Sequence, residues 1–299
     1  MKSILSLFLG VVLFVLGLLP AHAQEVTTPE NLNYSALKWR GVSTGFASGR
    51  ISDITIHPEN EHVWFVTAGS GGVWKTENAG VTWRPIFDNQ SSYSIGNIAL
   101  APSNPSVVWV GTGEDVGGRH VGFGDGIYKS TDGGDSWKHM GLKNSEHIST
   151  IIIHPDNENI VWVAVQGPLW SKGGERGLYK TTDGGENWNK VLGDDEWVGV
   201  TDIVIDPRNP DVLYAATWQR HRTVAAYMGG GPGSGLHKST DGGENWKALK
   251  NGIPSSIIST PDLTRPSNMF MQVLVSGSPA DTKIPKTPLF SFFAFVISS

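Results

Sequence analysis

Four eight-residue segments, each closing on a tryptophan, constrain this chain more tightly than any other feature: TENAGVTW (Thr76 to Trp83), STDGGDSW (Ser130 to Trp137), TTDGGENW (Thr181 to Trp188) and STDGGENW (Ser239 to Trp246). Their glycines Gly80, Gly134, Gly185 and Gly243 lie 54, 51 and 58 residues apart. A recurrence of this length and regularity means one supersecondary unit repeated four times, stacked so that neighbours bury what a single unit cannot.

Each unit has the same internal order. In the first copy an alternating strand ISDITIHP ends at Pro58, HVWFVTAG makes a second strand, GVWKT a third and TWRPI a fourth. The first strand stops at a proline in every copy, at Pro58, Pro102, Pro155 and Pro207, because proline cannot donate to a continuing ladder. The expected fold is therefore all-β: a β-propeller of four-stranded antiparallel blades, four of them complete, forming a partial ring. The blades are expected at about 50–90, 91–143, 144–196 and 197–252.

The turns explain themselves physically. The carboxylate of Asp132, Asp183 or Asp241, or the amide oxygen of Asn78, can accept backbone N–H groups of its own turn. The glycine supplies a positive φ. Trp83, Trp137, Trp188 and Trp246 are expected to pack under their hairpins. A chain with 37 glycines, 12 tryptophans and no cysteine suits this economy of tight turns and aromatic anchors. Lacking cysteine, it has no disulfide framework and no thiolate nucleophile or metal ligand. No metal-ligand spacing stands out, and neither a metal nor a cofactor is expected.

Residues 1–23 read as an export signal, with Lys2, an apolar run from Ile4 to Leu19, and Ala21-His22-Ala23 before the cleavage point. The mature protein is expected to be secreted or periplasmic, without a stable membrane span. The formal charge of −5 becomes about −6 once the leader is gone, which disfavours nucleic acid as a partner. Residues 24–49 form a lead-in whose LKWRGVST (Leu37 to Thr44) resembles an isolated fourth strand around Trp39. Residues 253–299 carry neither the strand order nor the turn and read as a non-propeller tail, pointing to a chain cut short of its full ring.

Antiparallel alternation puts the repeated turns on one face and the loops between second and third strands on the other. Those loops vary in length, and long loops on a rigid frame are where binding groups concentrate. Candidate ligand-binding residues are Glu114, Asp115, Arg119, His120 and Asp125 in the second blade, Trp170 in the third, and Arg220, His221 and Arg222 in the fourth. Solvated loops held by internal ion pairs are the commoner account of charged residues of this kind, and Trp170 could equally cap the blade core. His57 and His154, each preceding a strand-ending proline, read as structural.

The turns match the Asp-box motif, and stretches such as GSGGVWKTENAGVTWRPIFDNQ and SIGNIALAPSNPSVVWVGTGE resemble secreted bacterial proteins with Asp-box (BNR-like) repeats, of sortilin or glycosyl-hydrolase type. The resemblance implies a propeller and leaves the activity open among three branches. Sialidases need an arginine clamp, for which only Arg50 is a candidate. Xyloglucan-degrading hydrolases carry a catalytic aspartate in the first blade, where this chain has Gly69. Sortilin-type propellers bind polypeptides. The leading expectation is a scaffold binding an extracellular polypeptide or polysaccharide through its loop face, with a glycoside hydrolase using Glu114 or Asp115 as the alternative.

Overall fold

The computed structural model describes residues 50–250 except 116, 117, 119 and 120. The leader, the Trp39 strand, the tail 253–299, Arg119 and His120 lie outside the described residues. Four sheets follow one another along the chain. The first contains β1 (Ile51–Ile56), β2 (Trp64–Ala68), β3 (Gly72–Thr76) and β4 (Arg84–Pro85); the second β5 (Ile95–Ala101), β6 (Asn104–Thr112), β7 (Ile127–Ser130) and β8 (Lys138–His139). The third contains β9 (Ile148–His154), β10 (Asn157–Val165), β11 (Gly177–Thr181) and β12 (Asn189–Leu192). The fourth contains β13 (Val198–Asp206), β14 (Asn209–Gln219), β17 (Gly235–Ser239) and β18 (Lys247–Ala248). Within each sheet the strands pair antiparallel in chain order. The 219–235 segment, expected as plain loop, folds its own hairpin from β15 (His221–Arg222) and β16 (Tyr227–Met228). The protein is an all-β propeller of four-stranded blades.

First strands are innermost and pack in sequence, β1 against β5, β5 against β9 and β9 against β13. They come so close that a Cβ on Gly96 would lie 1.9 Å from the carbonyl oxygen of Ile148. Polar side chains at equivalent positions stitch them: Asn97 Nδ2 donates to Asp53 Oδ2 at 2.6 Å, and Ile151 N to Asn97 Oδ1 at 2.8 Å. One core fills each joint between blades. Phe65, Val73 and Phe87 meet Ile95, Ile98 and Val110. Trp109 and Ile127 meet Ile148, Ile151 and Val163. Trp162 and Leu178 meet Val200, Ile203 and Leu213. Interior sheets thus bury both faces, which is why VVWVGT and IVWVAV are nearly unbroken apolar runs. Each such side chain contributes about 1.5–3 kcal/mol. On the first blade Ile51 (59%) and Ile54 (45%) remain exposed.

The repeated turns form a shared bonding pattern. Ser130 Oγ accepts Gly134 N at 2.8 Å and donates to Asp132 Oδ1 at 2.7 Å, while Asp132 Oδ1 also accepts Ser136 N at 2.9 Å. Thr181 with Asp183, and Ser239 with Asp241, repeat it. Asn78 stands in by accepting Thr82 N at 2.9 Å. Two of the tryptophans reach beyond their own hairpins, Trp137 Nε1 donating to Ile86 O and Trp188 Nε1 to Met140 O, both in the preceding blade, whereas Trp246 Nε1 donates to Gly243 O of its own turn. His57 and His154 each accept the N–H two residues on, closing the first turns.

Candidate functional site

Every blade starts its first strand and ends its second at the same edge, where one backbone bond closes the pair. Gly69 N donates to Arg50 O, Gly113 N to Ser94 O, Gln166 N to His147 O and Arg220 N to Trp197 O. This repeated rung brings residues from all four blades onto the loop face. Ser94 is a hub there: its hydroxyl shares a proton between Gly69 O (2.9 Å) and Gly122 O (2.8 Å) and accepts Glu114 N at 3.1 Å.

Glu114 leaves this hub with its side chain 2% exposed and its carboxylate clamped by Arg50, through Nε and, at 2.6 Å, through Nη2. The carboxylate fills the space beside Gly69, where an added Cβ would come within 2.5 Å of Glu114 Oε1. Arg50, weighed from sequence as part of an anion clamp for a ligand, instead spends its fork on this internal partner. Glu114 O accepts His147 Nδ1 at 2.8 Å. That fixes the protonated ring nitrogen, and burial pushes the His147 imidazole down to about 3, with the charges of Arg220 and Arg176 adding to the effect.

Asp115 keeps part of its surface in solvent while its carboxyl sits deep among protein atoms. Burial pushes it up to about 7, and the nearby charges of Asp53 and Glu114 act the same way; its own backbone N–H and the Arg220 guanidinium pull it back. Its backbone carbonyl is held by Gln166 Nε2 at 3.2 Å. Arg220, expected in a solvated basic run, is fully buried, and desolvation lowers its guanidinium to about 10. Nη2 donates to Gly167 O at 3.1 Å, whereas Nε and Nη1 have no hydrogen-bond partner among the described residues. A buried cation with unfilled donors favours a polar or anionic guest.

Asp125, His221, Arg222 and Trp170, the other expected residues that are described, have surroundings of their own. Asp125 takes the Tyr128 hydroxyl at 2.8 Å and the Ser91 hydroxyl, securing the base of its loop. His221 packs its ring 4.2 Å from that of Trp197, and Arg222 lies 4.3 Å over Tyr227, so Arg220, His221 and Arg222 do not present one common surface. Trp170 is exposed (46%), as are Tyr93 (67%) and Phe123 (71%), two rings that flank the Ser94 hub through Ser94 and Gly122. Sequence reasoning did not single out Arg176, which gives four bonds to backbone carbonyls including Gln166 O (3.0 Å) and Gly173 O (2.9 Å) and so shapes the 167–177 loop. Among the described residues, no group of three or more His, Asp or Glu side chains is placed to hold a metal ion. A recess on the opposite face, lined by Lys129, Trp137 and Glu186, belongs to the joint between blades two and three. No helix among the described residues is long and apolar enough to cross a membrane.

Comparison with known proteins places this site in context. The Sortilin-Vps10 family model, described as sortilin, neurotensin receptor 3, matches residues 125–287 and so takes in part of the segment read from sequence as a tail. Xyloglucanase Xgh74A of Acetivibrio thermocellus is 25% identical over 246 residues, covering 74% of this chain and 28% of the relative. An ancestral GH74 enzyme superposes with a TM-score of 0.53 at 21% identity, over 68% of this chain and 26% of its own. The GH74 enzyme of Niastella koreensis gives 0.50 at 24% identity, over 65% and 28%. The chain spans about a quarter of the length of the curated relatives it matches. At these identities the superpositions establish the propeller fold.

Proposed function

The chain belongs to the Sortilin-Vps10 family, and from that starting point we propose that it is a segment of a secreted, glycoside-hydrolase-like propeller that holds a β-linked polysaccharide of the xyloglucan class across its loop face. The observation carrying this reading is the Asp115 carboxyl on the loop face, next in sequence to the buried Glu114 and raised by its own burial to about 7. Inverting hydrolysis of a glycosidic bond needs one carboxyl that is protonated at working pH and a second, ionised one about 6.5–9.5 Å away to activate water. Asp115 is the proton donor in this scheme. The water-activating carboxylate comes from blades outside the four described. Glu114, standing in the space beside Gly69, holds Arg50 on the loop face, and the exposed rings of Tyr93, Phe123 and Trp170 give sugar faces a surface to stack on.

The non-catalytic scaffold expected from the loops alone ranks second, because the relative matching 74% of the chain is a xyloglucanase. The proposal includes export through the 1–23 leader, Asp-box turns as structural staples, blade limits as read from sequence, and a ring larger than four blades. It is tested by affinity electrophoresis of the full chain through xyloglucan, other β-glucans and starch, together with reducing-sugar release by a longer relative bearing the same acidic pair. Xyloglucan is expected to retard the chain and starch to leave it unretarded. Phe123→Ala and Trp170→Ala each weaken retention several-fold, and Asp115→Asn abolishes sugar release. Failure of every β-glucan to retard the chain sinks the proposal.

A further inference from the structure

Two guanidiniums are buried on the loop side of blades three and four: Arg176 is 1% exposed and Arg220 0%. A buried charge is tolerated when a partner of opposite sign bonds it and is strongly destabilising otherwise. Arg176 spends its N–H groups on neutral carbonyl oxygens, those of Gln166, Pro168, Ser171 and Gly173. Arg220 gives only Nη2, to Gly167 O at 3.1 Å; its Nε and Nη1 have no hydrogen-bond partner among the described residues. Desolvation lowers both guanidiniums to about 10, so both stay charged at neutral pH.

The neighbouring acids do not offset this charge. Asp115 and Glu146 act on Arg220, and Glu146 and Asp195 on Arg176, only through space. Among the described residues no carboxylate forms an ion pair with either guanidinium. Burial raises the Asp115 carboxyl to about 7, so much of its charge is absent at neutral pH, and His147, pushed down to about 3, is neutral.

A third unfilled donor lies close by. One face of the Arg220 guanidinium is 5.3 Å from the Trp218 ring centroid. The β15–β16 hairpin that follows is pinned to blade three by Arg222 N donating to Leu169 O at 3.1 Å. In that hairpin Tyr227 is the cross-strand partner of Arg222, whose guanidinium lies 4.3 Å from its ring centroid. The Tyr227 hydroxyl is buried without a hydrogen-bond partner among the described residues, and it is near enough to Arg220 for each to feel the other's charge.

We infer that Arg220 and Tyr227 hold a small monovalent anion of the halide class, chloride in a saline medium, in the interior beside the β15–β16 hairpin. A spherical ion accepts N–H and O–H donors from any direction, and its single charge matches the one guanidinium whose donors are unfilled. Because Arg220 is wholly buried, the guest must fit inside the fold, which favours a single atom over the end of a polymer. Gln166 Oε1 is a buried acceptor without a partner among the described residues, so a water molecule bridging it to Arg220 is the competing occupant.

The test follows thermal unfolding of the full chain by tryptophan fluorescence as sodium gluconate is replaced by sodium chloride at fixed ionic strength. An ion that binds only the folded state raises the midpoint with its concentration. Chloride and bromide should raise it progressively above its value in gluconate. Tyr227→Phe keeps the ring beside Arg222 and should weaken the apparent chloride affinity about ten-fold, the worth of one hydrogen bond to a charged partner. Arg220→Gln should abolish the dependence; if that variant does not fold, Tyr227→Phe decides alone. Arg208→Gln, which alters an exposed arginine elsewhere on blade four, should leave the chloride dependence as in wild type. Equal midpoints in chloride and gluconate mean that water fills the site and overturn the proposal. A chloride dependence undiminished in Tyr227→Phe, or lost equally in Arg208→Gln, overturns it too. No carbohydrate enters the measurement, so its outcome is independent of glycan binding.

Discussion

Replacing Asp115 by asparagine should change how stability responds to pH, not merely its level. In the folded protein burial raises this carboxyl from 3.8 to about 7. One unit of pKa difference corresponds to about 1.4 kcal/mol, so the three-unit rise makes the ionised form up to about 4 kcal/mol less favourable in the folded state. Between pH 4 and 7 the folded chain holds a proton that the unfolded chain has released. Stability from this group is therefore complete below pH 4 and is lost as pH rises through about 7. Asparagine keeps the shape and cannot ionise, so its advantage over the wild type should grow by up to about 4 kcal/mol from pH 4 to pH 8. His147 and Asp202 titrate in both proteins and cancel in the difference. Urea unfolding followed by tryptophan fluorescence at half-unit pH steps measures it. Curves that stay parallel to within about 0.5 kcal/mol, the usual limit of additivity, would refute the buried-acid assignment and with it the proton-donor role.

Three further outcomes are expected. Ser130→Ala removes the acceptor of Gly134 N, which is buried, and should cost about 1–3 kcal/mol in urea or thermal unfolding; no loss would mean that water replaces the hydroxyl. Gly185→Ala should lose clearly more than Gly173→Ala, since both have positive φ (97° and 76°) but only the first drives a Cβ to 2.5 Å from Trp109, an overpacking penalty of about 1–3 kcal/mol. Gly69→Asp should destabilise the wild type by crowding the Glu114 carboxylate and be largely relieved in a Glu114→Ala background; a double-mutant cycle with coupling below about 0.5 kcal/mol would deny that the two positions share one space.

Legibility in the sequence followed the range of the interactions. The bonds by which Ser130 and Asp132 close their own turn fall within eight residues, so the residue types announce it, and the alternation in ISTIIIH declares an inner strand. The tryptophan contacts were harder. Trp137 was expected beneath its own hairpin, but its N–H travels back to Ile86, because the next blade's turn is the lid of the previous blade's core. Glu114 and Asp115 were visible as charged residues on a long loop, whereas the clamp on Glu114 comes from Arg50, 64 residues earlier. Arg220 looked solvated because a basic run carries no mark of which side chain the following β15–β16 hairpin will cover. Arg176 gave no signal at all. The inner ladder did leave one, a polar residue at the same place in each first strand: Asp53, Asn97, Thr150 and Asp202.

The two faces are consequently built on different principles. On the turn side the Asp or Asn side chain bonds within its own turn, so blade one can carry Asn78 in place of Asp and keep the same bond to the N–H four residues on. On the loop side the backbone of Gly69, the loop at Gly122 and the main chain of Glu114 all depend on one hydroxyl, that of Ser94. A negative charge at the head of the first inner strand can therefore be delivered either from position 69 or from position 114, since both loops are pinned to the same point and reach the same volume. Supplying it from Glu114 brings Arg50 into a two-pronged bond and leaves Gly69 without room for a side chain.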